Sequence, residues 1–345
     1  MSKSYYIIPI FVPHLGCPHN CVFCNQNKIS GEEGVVDSRY VENTVEEYLK
    51  TIDITNSTVE ISFFGGTFTA IPMQKQKELL EVAYKYKRLK KINYIRLSTR
   101  PDYIDNDILN HLKVYDVDII ELGVQSLDKE VLRKSARGHS EEDVRNASML
   151  IKEYGFTLGH QIMLGLPGDT FEKDLDTANK SIEMKPDICR IYPALVIKDT
   201  PMEEMLRREE YKPYTLSEAV AIAKKIYKLY IENHINVIRV GLQPTENINT
   251  GGDIIDGPFH PAFRELVESS ILNEHIYNLL KESKNDVTIR INNRYISRLY
   301  ANKKEFFNEL KSKLVNVKIN VCIDDSVKVG EIQIDSNKET KIVSI

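Results

Sequence analysis

Residues 117–170 read VDIIELGVQSLDKEVLRKSARGHSEEDVRNASMLIKEYGFTLGHQIMLGLPGDT. The stretch opens on an apolar run at 117–123, passes through a longer amphipathic segment at 141–154 and returns to an apolar run at 157–163. Short β-rich runs alternating with helical segments are the pattern of a parallel sheet covered by helices. Working outward, the same unit recurs. Further strands are predicted at 5–12, 58–64, 93–98, 187–192 and 236–242, and further helices at 38–52, 72–90, 105–114, 170–182 and 215–233. A flat doubly wound sheet and a βα barrel both bury their strands as continuous apolar runs, so period alone does not separate them. The polar motifs do. ELGVQS (121–126) and GLPGDT (165–170) stand at strand ends, as do PHLGCPHNCVFC (13–24), FFGGTFT (63–69), STRPD (98–102), YPALV (192–196) and GLQPTE (241–246). In βα barrels chemistry collects on the loops that follow the C-terminal strand ends. The α/β fold predicted is therefore a partial TIM-like (β/α)6 barrel with one face carrying these loops.

The chain has 345 residues, 42% hydrophobic and 28% charged, which suits one large domain with a small appendage. We expect a core at 1–260, a connecting helix at 261–284 and a small α+β C-terminal unit at 285–345. The opening MSKSYYIIPIFVPHLG is interrupted by Pro9 and Pro13 and does not resemble an export signal. No apolar stretch reaches the roughly 18 to 20 residues that cross a bilayer. The expected location is cytoplasmic, with no membrane partner. A formal charge of −4 gives no global attraction to nucleic acid, yet 286–320 holds eight Lys or Arg against three acids.

Three of the five cysteines fall in Cys17-x3-Cys21-x2-Cys24. In a reducing compartment such crowding argues for metal binding or catalysis rather than disulfides. Three thiolates leave one iron of a cubane cluster without a protein ligand, where four cysteines are the rule. A zinc site completed by His14 or His19 is the competing reading. Phe23, placed just before Cys24, and the barrel that follows favour the iron–sulfur site.

With these strings the chain resembles the radical S-adenosylmethionine (SAM) superfamily over about its first 260 residues. CPHNCVFCNQ, FFGGTFT, LSTRPDYI, ELGVQS and GLPGDT look most like the radical-SAM half of the elongator catalytic subunit. A broader resemblance runs to oxygen-independent coproporphyrinogen oxidases. The resemblance implies a [4Fe-4S] cluster on Cys17, Cys21 and Cys24, with SAM filling the open iron site and cleaved to a 5'-deoxyadenosyl radical. It implies SAM contacts by Gly65, Gly66 and Thr67, by Ser98 near the ribose or methionine, by Gln125, by Arg137 on the carboxylate, and by Gln161, with Phe23 beside the cluster. Met163 and Leu164 stand beside adenine or are plain core. Coproporphyrinogen oxidases place a glutamate at Ser98 and an aspartate at Gln161, departures that leave those two contacts open.

Other residues admit two readings each. Glu121 either lines the site or, buried, pairs with a neighbouring basic residue. Pro101 should keep Arg100 out of helical geometry and turn its loop outward. Arg190, Tyr192, Lys198, Gln243, Thr245 and Glu246 should rim the open end. Cys189 and Cys322 read as small buried residues. KYKRLKK (85–91) reads as a solvated helix end. The tail lacks the GxxG that clamps a nucleic-acid backbone in KH folds. The function expected is SAM cleavage for modification of an RNA such as tRNA, supplied with electrons by a flavodoxin or ferredoxin. A small-molecule or tetrapyrrole substrate, and a non-catalytic iron–sulfur delivery protein, are the alternatives.

Overall fold

The computed structural model describes residues 4–12, 20–25, 36–244, 248–249, 251–283, 285–336 and 339–344. Strands β1 (Ser4–Val12), β2 (Ser57–Gly65), β3 (Tyr94–Thr99), β4 (Ile119–Gln125), β5 (Thr157–Leu164), β6 (Ile188–Pro193) and β8 (Asn236–Val240) form one sheet in that order. Every neighbouring pair is parallel, and the sheet, curled into a partial barrel, is left unclosed because β1 and β8 stand at opposite ends of the order. The crossovers are helices α1 (Ser38–Leu49), α2 (Met73–Arg88), α3 (Asn106–Val114), α5 (Glu141–Glu153), α6 (Phe171–Glu183) and α8 (Leu216–Glu232). Side-chain caps start them as the sequence suggests: Thr170 accepts from Lys173 N–H, and Ser140 and Thr215 make capping boxes.

Alternation sorts each strand into two faces. Ile8, Ile10, Ile61, Phe63, Ile95, Leu97, Ile120, Leu122, Leu158, Ile162 and Ile191 are all fully buried. His160 marks that face as the helix side, since Ser148 of α5 and Ser181 of α6 hold its two ring nitrogens at 2.9 and 2.8 Å. The opposite face, turned into the barrel, carries Glu60, Ser62, Arg96, Ser98, Glu121, Gly123, Gln161, Arg190 and Tyr192. Such a polar interior is unusual, because barrel interiors are commonly filled by branched apolar side chains.

Short elements join this frame. Helices α4 (Lys129–Lys134) and α7 (Pro201–Arg207) are too short for a periodic signal, and β7 (Val196–Ile197) pairs antiparallel with β9 (Ile254–Asp256). Three of the five cations in the basic run closing α2 are paired: Lys85 meets Glu42 at 2.7 Å, Lys87 meets Asp118 at 2.7 Å and Lys91 meets Glu46 at 3.5 Å.

The chain divides into two compact units, the second taking in 260–345 with Ala223–Lys225. Its sheet has the order β11-β10-β12-β13, from β10 (Val287–Ile291), β11 (Ile319–Ile323), β12 (Glu331–Ser336) and β13 (Thr340–Ser344). Helix α9 (Phe263–Leu280) contributes Leu272, Ile276 and Leu280 to the core of this unit, and α10 (Ile296–Lys313) contributes Leu299, Phe307 and Leu310. Cys322 is a correction: it lies exposed on β11, at the edge of the sheet, rather than buried.

Candidate functional site

Of the cysteine loop, 20–25 is described; Cys17, His14 and His19, like Thr245 and Glu246, lie outside the described residues. Cys24 N–H donates to the Cys21 carbonyl at 3.0 Å, which sets the two cysteines one tight turn apart. The loop is pinned from several sides. Val22 N–H donates to Ser135 O at 3.1 Å, Met202 N–H donates to Val22 O at 2.9 Å, and Asn25 Nδ2 donates to Lys198 O at 3.3 Å. Phe23, half-buried, packs against a cluster that includes Val22, Met163, Leu166, Met202 and Tyr211. Met163 and Leu164 are buried, at 9% and 1% exposure, and Met163 belongs to this same cluster.

Arg137 reaches the cysteines from the far side of α4. It is buried, and its Nη1 lies 3.4 Å from Cys21 Sγ. Its Nη2 donates to the Gly123 carbonyl, and its buried Nε has no hydrogen-bond partner among the described residues. A Cβ on Gly123 would stand 3.0 Å from Arg137 Nη2 and 3.1 Å from Gln125 Nε2, so glycine keeps that space clear. Just beyond it the register of β4 slips and Gln125 takes φ +64. A non-glycine residue held there costs about 1 kcal/mol or more. The turn sets Gln125 Oε1 to accept from Gln161 Nε2 at 3.4 Å.

The remaining predicted contacts gather one step away. Gly65 has φ +104, and a Cβ there would lie 2.5 Å from Val12 O, so only glycine fits this turn. Gly66 N–H donates to the same carbonyl at 3.2 Å, which ties the loop after β2 to the end of β1. Thr67 is buried, and Thr69 Oγ1 sits 2.6 Å from Thr99 Oγ1, linking this loop to β3. Ser98 Oγ is 3.5 Å from Glu121 Oε2.

Below these loops runs a buried charge network. Arg96 lies 2.8 Å from Glu60 and 3.2 Å from Glu121, and Arg190 Nε lies 2.7 Å from Glu121. Glu121 crosses from β4 to β6 only because Gly159 intervenes on β5: a Cβ there would meet Glu121 Cγ at 2.7 Å. Burial pulls the Arg190 guanidinium down and the Glu121 carboxylate more than reverses it, so it stays charged. Two expectations are corrected. Arg190 is an interior residue rather than a rim residue, with Nη1 3.3 Å from Tyr192 Oη. Arg100 is only 2% exposed, so its loop turns inward despite Pro101. Lys198 and Gln243 are exposed, Gln243 accepting from Arg239 at 3.0 Å.

Behind GLPGDT, Asp174 accepts from Tyr214 Oη at 2.9 Å and from Gly165 N–H at 3.4 Å. Burial, with the Asp169 charge, pushes its carboxyl well above the usual carboxylate range. A carboxyl raised in the folded state destabilises the fold progressively as pH climbs from the unfolded value near 4 towards the folded one. Asp174→Asn should therefore flatten the loss of stability between pH 5 and 8 by about 1–3 kcal/mol. Thermal melts of both chains across that range check it, and parallel profiles would refute it.

The donor set suits an anionic, thiolate-bound cluster and a carboxylate ligand. Cys21 and Cys24 adjoin, a guanidinium backs one sulfur, and its buried Nε–H lacks an acceptor among the described residues. Arg100, Gly123, Ser135 and Gly159 are the supporting residues that the sequence did not single out for these roles. Gly123 is readable in the sequence only as the glycine of ELGVQS, and its closeness to Arg137 is a tertiary feature.

Comparison with known proteins bears on this arrangement. The family model described as "Radical SAM superfamily" matches residues 11–180, and that described as "Radical_SAM C-terminal domain" matches 186–273. A tRNA uridine(34) acetyltransferase of Methanocaldococcus infernus is 28% identical over 256 residues, 63% of this chain and 48% of that protein. An uncharacterized protein of Methanocaldococcus jannaschii is 31% identical over 236 residues, 63% of this chain and 69% of its own length. Human Elongator complex protein 3 is 30% identical over 53% of this chain, which spans 37% of it. The solved structure of Methanocaldococcus infernus Elp3 with an N-terminal deletion superposes with TM-score 0.61 at 24% identity, covering 80% of this chain and 64% of that one, and so shares the fold. The chain thus spans about half or less of the tRNA uridine(34) acetyltransferase and of Elongator complex protein 3. A family of this kind implies a [4Fe-4S] cluster and SAM, and two matched models running from 11 to 273 establish the membership: the chain belongs to the radical SAM superfamily and is one of its enzymes.

Proposed function

We propose that Cys17, Cys21 and Cys24 hold the [4Fe-4S] cluster with one iron open to SAM, and that the substrate is an RNA, tRNA first. The carrying observation is Arg137, a buried guanidinium that touches Cys21 Sγ while its Nε lacks an acceptor. That unpaired N–H suits one oxygen of the SAM carboxylate, as a charge-assisted hydrogen bond. Gly65, Gly66, Thr67, Ser98, Gln125 and Gln161 supply the other SAM contacts, and Phe23 braces the cysteine loop. When bound, the cluster supplies the electron that splits SAM to a 5'-deoxyadenosyl radical. A flavodoxin or ferredoxin is the electron source in this reading, in the cytoplasm. Among the described residues no helix is long and apolar enough to cross a membrane.

The RNA part rests on the relatives that modify tRNA by name, and on the C-terminal unit. Arg290, Arg298 and Lys313 there are paired with acids. Arg294, Lys303, Lys311 and Lys318 are exposed and make no ion pair among the described residues, leaving them to meet phosphates. Acetyl transfer is not carried over, because the match covers 48% of the named enzyme.

The test is anaerobic reconstitution of the full chain with iron and sulfide, then assay of 5'-deoxyadenosine from SAM under reductant, with and without tRNA. Product should form, and tRNA should raise its yield severalfold and be retained on a filter in a salt-sensitive way. Product without any tRNA effect or retention would shift the substrate to a small molecule. A chain that takes up only zinc would refute the whole reading.

A further inference from the structure

We infer that Arg100 and Asp102 are positioning residues that act through Arg137 on the sulfur of Cys21, and so on the reduction potential of the cluster. The inference rests on the reading above in which Cys21 is a cluster ligand.

Arg100 is almost fully buried at the end of β3, and its contacts form a chain. Its Nε donates to Asp102 Oδ1 at 2.9 Å and its Nη2 to Asp102 Oδ2 at 2.8 Å, a fork that fixes the plane of the guanidinium. The same Nη2 also donates to the main-chain carbonyl of Arg137. Arg137 needs such a hold. It lies in no helix or strand, between Ala136 at φ +51 and Gly138 at φ +80, and its own N–H is spent on Leu132 O at 3.0 Å. With the backbone seated by Arg100, the side chain of Arg137 meets Gly123 O with one nitrogen and Cys21 Sγ with another.

The sulfur contact has an electrostatic consequence. A reduced cluster carries one more negative charge than an oxidised one, so a cationic N–H donor on a ligand sulfur favours the reduced form. Hydrogen bonds to the sulfurs and net charge are established determinants of cluster potential, and they act more strongly away from water. Arg100 and Asp102 are themselves a neutral pair, 2.8 Å apart. Their influence is therefore geometric, exerted by where they hold Arg137, and removing both leaves the net charge unchanged.

That neutrality provides the test. The full chain, reconstituted anaerobically and without SAM, is titrated by electron paramagnetic resonance for its midpoint potential, with iron and sulfide content measured on each preparation. In Arg137→Met, and in the paired variant Arg100→Met/Asp102→Asn, the reduced-to-oxidised ratio at a fixed solution potential should fall about tenfold, a shift of about 59 mV for one electron. In the Arg137→Met background the paired substitution should add nothing, because its effect runs through that residue. Arg100→Lys keeps the charge and loses the fork, so it should shift the potential in the same direction, and it carries the test if the paired variant does not fold. A wild-type potential in a cluster-loaded paired variant would overturn the inference. So would an undiminished further shift in the Arg137→Met background. Failure of the underlying reading would look different: Cys21→Ala would then keep its full iron and sulfide.

Discussion

Cys21→Ala, reconstituted anaerobically with iron and sulfide, should lose its cluster, with bound iron and acid-labile sulfide falling at least about tenfold and the visible thiolate-to-iron absorbance disappearing. The expectation follows from number and placement. A cubane cluster held by three thiolates already lacks one protein ligand, and two cannot retain it against chelation. Cys21 is also the sulfur that Arg137 approaches, so its loss removes a ligand and leaves that guanidinium without its sulfur partner. The fold itself should survive. The loop is tied by Val22 to Ser135 and Met202 through main-chain hydrogen bonds that the substitution does not touch. Cys189→Ala is the contrasting variant. That thiol is fully buried on the helix side of β6, where burial pushes it up to about 12 and disfavours the thiolate a metal requires. It should keep wild-type iron and lose about 1 kcal/mol of stability from the cavity. Cluster retention in Cys21→Ala, or iron loss in Cys189→Ala, would reverse the assignment.

How much of this was legible in the sequence varies with the range of the interaction involved. Strand β5 is predicted at 157–163 and found at Thr157–Leu164, because a continuous apolar run between a helix and a glycine turn is a local signal. Strand β13 was not anticipated, since TKIVS is short and half polar and its pairing with β12 is a tertiary event. The site shows the same division. The cysteine spacing, the glycine turn after β2 and the strand-end position of Gln125 are local and readable. The burial of Arg100 is not: Pro101 correctly predicts its extended backbone, φ −88 and ψ 149, but where the side chain goes is decided by Asp102 and by the carbonyl of a residue on another loop. Glu121 was left between two roles for the same reason. Its partners Arg96 and Arg190 lie on β3 and β6, and the route to the second depends on an absent Cβ at Gly159.

That network sets the largest expected change in stability. Glu121→Gln should destabilise the fold by about 3–5 kcal/mol, the scale seen when one partner of a buried ion pair is removed, and lower the melting temperature by on the order of 10 °C. Two carboxylates now balance two guanidinium groups inside the barrel, with Glu60 fully buried, Glu121 at 3% and Arg190 at 8% exposure. Neutralising Glu121 leaves Arg96 and Arg190 facing Glu60 alone, and Arg190 then loses the carboxylate 2.7 Å from its Nε that holds it charged against burial. A glutamine still fits the space opened by Gly159 and still accepts one hydrogen bond, so the loss reports charge rather than shape. Removing the second partner as well should help: Glu121→Leu/Arg190→Met restores neutrality with apolar groups of similar size and should recover much of the stability lost by either change alone. Differential scanning calorimetry of the two single variants and the double variant measures this. If Glu121→Gln loses less than about 1 kcal/mol, the interior charges are solvated and the network does not hold the barrel wall. If instead the double variant is no better than the singles, packing around Gly159 rather than charge balance dominates, and the polar interior owes its structure to shape.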